Sequence, residues 1–159
     1  MLTTLPFLII YLVLTVLLVR SDILAGILPD KYLCPLLWSG LVFHLCVNPD
    51  FLPNAVIGAL AGYAGFAAIY WGYRLASKRE GMGYGDVKYL AALGAWYGWC
   101  VLPGLALTAA LTALLYLGIQ FCRYPGNPVL KNPLPFGPFL AAAGLLTGYH
   151  SVIPTTLPL

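Results

Sequence analysis

The run "TTLPFLIIYLVLTVLLVRS", Thr3 to Ser21, decides the fold. From Met1 to Val19 there is no charged side chain, and the first cation is Arg20 at its far end. About 20 consecutive apolar residues cross a bilayer as a helix. A cleaved signal peptide would carry its positive charge before the apolar run, not after it. The rest of the chain has the same character. Of 159 residues, 61% are hydrophobic and 8% are charged, against about 25% charged in a soluble domain. No soluble fold of this size buries so much apolar surface under so little polar cover. The solvent for most of the chain is lipid. The runs do not alternate as barrel strands do, so the fold class is all-α, a polytopic membrane helical bundle. Its length suits one domain over residues 1–159. There is no internal repeat, and the Pro-rich parts are the 124–138 loop and the C-terminal tail.

Six spans follow, at roughly 3–21, 33–48, 54–74, 87–102, 104–122 and 136–153. The breaks between them are "NPDFLPN", Pro103-Gly104 and the polar loops. With six spans, Arg20, Lys31, Arg74, Lys78, Arg79, Lys88, Arg123 and Lys131 all fall on one face. The bias of cations toward the cytoplasm makes that face cytoplasmic and turns both termini outward. Topology and anionic lipid headgroups account for the cations themselves. With short loops and a net charge of +3, no nucleic-acid partner is expected.

Four of the five acids, Asp22, Asp30, Glu80 and Asp86, lie on this same face, and only Asp50 lies outside. An aspartate at mid-bilayer costs roughly 2.5–3.5 kcal/mol on insertion scales, so span ends are cheaper places for one. Asp30, in "LPDKYL", reads as an N-cap of the second span. Asp50 suits an outer turn. Glu80 reads as a local counter-charge to Lys78 and Arg79.

Asp86 fits such a reading less well. It ends "EGMGYGD", behind Gly81, Gly83 and Gly85. A cap does not need those glycines. They allow positive φ, or the close approach of another backbone or a substrate. The loop is neither GxGxxG nor a P-loop, and the aspartate would repel phosphate. Two carboxylates at one membrane face, on different helices, are the parts of an aspartic protease. A free aspartate has a pKa of about 3.9, too low for a proton donor at neutral pH. Two close carboxylates in a poorly solvated place do not both ionise easily and share a proton. These residues alone leave open whether Asp22 or Asp30 partners Asp86.

"GYGD", Gly83 to Asp86, followed by Lys88, resembles the GxGD motif of membrane aspartic proteases. Within that group the chain is similar to the type IV prepilin peptidases, the leader peptidases of type II secretion and type IV pili. "DILAGILPDKYLCPLLWSGLVF" (Asp22 to Phe43) resembles their first catalytic segment, and "REGMGYGDVKYLAALGAWYGW" (Arg79 to Trp99) their second. "PLPFGPFLAAAG" (Pro133 to Gly144) resembles their late loop and span. The resemblance implies a catalytic pair at Asp22 and Asp86, with Gly83 and Gly85 shaping the loop. Glu80 and Lys88 are read as flanking charges that help recruit a basic leader or set topology. It implies cleavage of a short basic leader from prepilins or pseudopilins, at the cytoplasmic face of a bacterial inner membrane, without metal or cofactor.

Many members of that family also methylate the new N-terminus and carry a zinc domain with paired CxxC motifs. Cys34, Cys46, Cys100 and Cys122 form no CxxC and are expected to pack as small apolar residues. A peptidase-only member is therefore expected, with any methylation falling to a separate methyltransferase. Two other classes compete: a membrane protein that binds prepilins without cutting them, and a small proton-coupled transporter. A transporter would favour acids near mid-span and inverted repeats, which this sequence does not display.

Overall fold

A computed structural model describes residues 4–77, 83–123 and 134–152. Lys78, Arg79, Glu80 and Lys131, with the ends of the chain and most of the Pro-rich loop, lie outside the described residues. The described residues form six α-helices and no strand: α1 (Thr4–Ala25), α2 (Asp30–Val47), α3 (Leu52–Ser77), α4 (Tyr84–Tyr97), α5 (Leu102–Arg123) and α6 (Gly137–Val152). One 3₁₀ turn, Pro49–Phe51, leads into α3.

Three stretches are long and apolar enough to cross a membrane: Thr4–Ala25, Pro49–Ala76 and Leu102–Arg123. Their outward faces carry Ile9, Val16, Leu60, Leu114 and Leu115, which are exposed and would meet lipid. The fourth helix is different. At 14 residues it is about 21 Å long, short of the ~30 Å hydrocarbon layer. It is also wrapped on all sides, with every residue from Tyr89 to Tyr97 buried. It packs on α2, α3, α5 and α6, while Tyr11 of α1 reaches its Trp96 and Tyr97 rings. The core is therefore built around α4: Tyr89, Leu90, Leu93 and Trp96 against Leu18, Leu33, Leu36, Leu105 and Leu140.

Small residues let α3 and α4 touch backbone to backbone. A Cβ added at Gly58 would collide with the carbonyl of Gly94, and one added at Gly62 would lie 2.8 Å from the carbonyl oxygen of Leu90. Between membrane helices, close backbone approach replaces the hydrophobic drive that water would supply. On the other side, the Trp96 indole lies on Gly40 of α2 and donates to the Leu36 carbonyl at 2.9 Å. His44 Nε2–H donates to the Trp96 carbonyl at 2.9 Å, which satisfies an acceptor near the end of α4.

Several boundaries differ from the sequence reading, three of them near the site or its supporting helix. Helix α1 runs past Asp22 to Ala25 and stops where Gly26 turns left-handed (φ +62°) and its N–H bonds the Asp22 carbonyl. Helix α4 opens at Tyr84, three residues early. The break before α5 is at Gly98 (φ +77°), not at Pro103-Gly104. Pro103 sits in the first turn of α5, where a missing N–H costs nothing. The cysteines also differ: Cys34, Cys46, Cys100 and Cys122 are all exposed, on the outer surface of the bundle and not in its core.

Ring contacts fix the directions of the helices. Phe7 meets Phe43 across α1 and α2, Tyr70 meets Tyr84 across α3 and α4, and Tyr116 meets Phe139 across α5 and α6. Each pair is antiparallel. The ends of α1, α3 and α5 thus gather with the starts of α2, α4 and α6. Arg20, Lys31, Arg74, Lys88 and Arg123, all the described lysines and arginines, lie toward this end.

Candidate active site

The basic end holds two buried acids, Asp22 and Asp86, each 6% exposed. Asp22 comes from the last turns of α1. Its Oδ2 accepts the Gly137 backbone N–H at 2.8 Å, across a sequence gap of 115 residues. Asp86 occupies the first turn of α4, where the Gly83 carbonyl receives the Asp86 N–H at 3.1 Å. A carboxylate at this position is favoured by the positive end of the helix dipole. The Asp86 Oδ1 is buried and has no hydrogen-bond partner among the described residues.

The two carboxylates are near enough to interact electrostatically. The turn after α1 lies between their helices. Ser21 Oγ donates to the Ile27 carbonyl at 3.0 Å and folds this turn back. Leu28, 7% exposed, is thereby pressed into the site. A Cβ added at Gly85 would lie 2.8 Å from the Leu28 Cβ, and one added at Gly137 would lie 3.3 Å from the Leu28 Cδ2. The same leucine therefore touches the residue beside Asp86 and the residue bonded to Asp22. Deeper in the bundle, Thr15 Oγ and the Tyr89 hydroxyl are buried close to one another. They lie on the faces of α1 and α4 that carry the acids.

The remaining sequence candidates divide. Gly85 is close-packed, but against Leu28. Gly83 has ordinary room, with the nearest atom, Asp86 Oδ2, 3.5 Å from an added Cβ. Neither has positive φ: Gly83 is the extended N-cap (φ −68°, ψ 134°). Lys88 turns away from the carboxylates and pairs with Asp30, its Nζ 2.7 Å from both oxygens. Asp30 is therefore not the N-cap of α2; Pro29 stands there, and Asp30 is the first helical residue. Glu80 lies outside the described residues. No group of three or more His, Cys, Asp or Glu residues that could hold a metal ion occurs among the described residues.

Sequence reasoning missed Gly137 and Leu28. Both lie inside stretches that drew attention as motifs, "LPFGP" and "AGILPD". A glycine followed by proline at a span start was the available signal. Nothing local shows that its N–H meets an acid 115 residues away.

These features define a class: a helical membrane protein with two buried carboxylates at the basic end of its bundle. The profile of the type IV leader peptidase family matches residues 8–118, and the chain belongs to that family. It is similar to the leader peptidase HopD of Escherichia coli, 55% identical over 150 residues, or 94% of this chain and 96% of that protein. HopD of Salmonella typhimurium is 53% identical over 154 residues, 97% of this chain and 99% of that protein. The prepilin leader peptidase/N-methyltransferase of Aeromonas hydrophila is 48% identical over 119 residues, 74% of this chain but 40% of that longer protein. No solved structure matches. The chain is thus a membrane peptidase of the leader peptidase type.

Proposed function

We propose that Asp22 and Asp86 are the catalytic pair of this peptidase, within one domain formed by the whole chain, and that it removes the basic leader of prepilins or pseudopilins. The observation that carries the reading is the burial of both carboxylates at one end of a membrane bundle. In this reading the pair holds one proton between them. The ionised member draws a proton from water, and the water oxygen attacks the scissile carbonyl carbon. The protonated member donates to the developing oxyanion, and the leaving amine then carries a proton away as the C–N bond breaks. The first carboxyl gives the amine the proton taken from water, and the second carboxylate recovers a proton from the diol hydroxyl as the carbonyl reforms, which restores the shared proton. No covalent enzyme intermediate is formed.

The basic end faces the cytoplasm of a bacterial inner membrane, and both termini point outward. A leader emerging from ribosomes would meet the carboxylates there, while the apolar segment behind it stays in lipid. Gly83 forms the mouth of the site beside Asp86. The charge of Glu80 serves recruitment, and Lys88 stiffens the turn that presents Asp86.

Co-expression with a prepilin, scored by gel shift, tests this. Asp22→Asn and Asp86→Asn keep size but lose the titrating group. Each is expected to abolish cleavage with near-normal amounts of protein in the membrane. Cleavage by either variant at the wild-type rate would remove that residue from the pair. A Asp30→Asn protein with no activity beside an active Asp22→Asn protein would move the role to Asp30.

A further inference from the structure

We infer that Gly137 is a positioning residue for the carboxylate pair: its N–H holds Asp22 Oδ2, and its missing Cβ lets the start of α6 reach that oxygen, with Leu28 as spacer. This rests on the reading that Asp22 and Asp86 are catalytic.

The start of α6 explains why this N–H is available. Phe136 is the cap, and its carbonyl accepts from Phe139 and Leu140 at 3.1 and 3.2 Å. The first donors of a helix have no partner within it. The second helical residue is Pro138, which has no N–H. Gly137 therefore presents the first unspent donor at the positive end of α6, and Asp22 takes it. Any larger residue conflicts with this bond. A Cβ at position 137 would lie 2.7 Å from Asp22 Oδ2 and 3.2 Å from its Cγ. Either the carboxylate rotates away or the helix end retreats.

Binding one oxygen fixes the plane of the carboxylate. With Oδ2 engaged, Oδ1 is the oxygen left to face water and substrate. Leu28 sets the other coordinate, the distance between the acids. It touches Gly85 on the Asp86 side and Gly137 on the Asp22 side. Three segments far apart in sequence thus converge on one spacing. Catalysis by paired acids depends on such spacing, since a misplacement of about 1 Å can cost ~10²-fold in rate.

Gly144 on the same helix supplies the control. A Cβ there would lie 3.1 Å from Leu93 Cδ2 and from the Tyr11 hydroxyl. It is crowded too, but two turns from the carboxylates. The experiment measures kcat and KM for a purified prepilin precursor in detergent micelles, with thermal unfolding of each enzyme. Gly137→Ala is expected to lower kcat about tenfold to a hundredfold, with KM within about twofold of wild type. Gly144→Ala is expected to keep kcat near wild type even if it melts lower. Wild-type kcat in Gly137→Ala would overturn the inference, and so would equal losses in the two variants. If Gly137→Ala does not fold, Leu28→Ala and Leu28→Met decide. A kcat loss in the first, restored by the second, supports the spacer, and full activity in Leu28→Ala overturns it. Asp22→Asn run in parallel separates the two ideas. An inactive Asp22→Asn beside a fully active Gly137→Ala sinks only the positioning role, whereas an active Asp22→Asn sinks the catalytic pair itself.

Discussion

Lys88 holds both oxygens of Asp30 at 2.7 Å while its ammonium also lies 5.5 Å from the centre of the Tyr84 ring. The pair ties the first turn of α2 to the first turn of α4, two residues beyond Asp86. Its side chains are partly open, 36% and 59% exposed, and an exposed ion pair is worth about 0–1 kcal/mol. Its value lies in geometry more than in stability. Lys88→Met is expected to lower thermal stability little and cleavage severalfold. The exchange Asp30→Lys with Lys88→Asp should recover most of that loss in the gel-shift assay. A double variant no better than its single parents would show that the residues act separately. The pair was not legible in the sequence, because 58 residues separate its members and an aspartate after proline reads equally well as a cap. Asp86 stood out in the sequence behind its glycines, whereas the choice of Asp22 over Asp30 came only from the family resemblance. The hydrogen bond to Asp22 was not legible.

Helix α4 is too short to cross the bilayer alone, and its neighbours make this tolerable. Its backbone lies against α3 through Gly58, Gly62 and Gly94, and its end is closed by Gly98 and His44. The tightness of this seam sets where Asp86 stands relative to α1. Gly94→Leu must push the helices apart or strain the side chain, at a cost of about 3 kcal/mol. Such a protein is expected to melt clearly lower in detergent and to cleave poorly. Gly65→Leu, on the partner helix α3 but with open space around it, should do neither. Equal behaviour of the two variants would mean that the seam does not govern the site. At this scale the apolar runs revealed all six helices, because burying backbone in lipid leaves few alternatives to a helix. The ends were less legible. Helix α1 continues through the polar Arg20, Ser21 and Asp22 because a glycine, and not polarity, terminates it. Helix α4 stops at Gly98, where the Phe51 ring leaves no room for a Cβ, a contact with no trace in the local sequence.

Across the whole molecule, charge separates the two ends. The described lysines and arginines gather where α1, α3 and α5 finish, and the opposite end carries Asp50 and His44. In the orientation proposed above, this asymmetry sets the carboxylates toward the cytoplasm. The four exposed cysteines report on it directly. Cys100 lies in the turn between α4 and α5, at the end away from the cations, and Cys46 lies near the end of α2 on that side. Cys34 and Cys122 lie toward the basic end, in the first turns of α2 and the last turn of α5. Variants that keep one cysteine each are to be treated in intact cells with a charged maleimide that cannot cross the inner membrane. Cys100, in a turn open to water, is expected to react at once. Cys122 is expected to react only after the cells are opened, because reagent and thiol are then on the same side of the lipid. Cys34 and Cys46, on helix sides facing lipid, should react more slowly and serve to calibrate depth. Prompt labelling of Cys122 with protection of Cys100 would turn the bundle over. It would put Asp22 and Asp86 on the outer face, where no leader awaits cleavage before export.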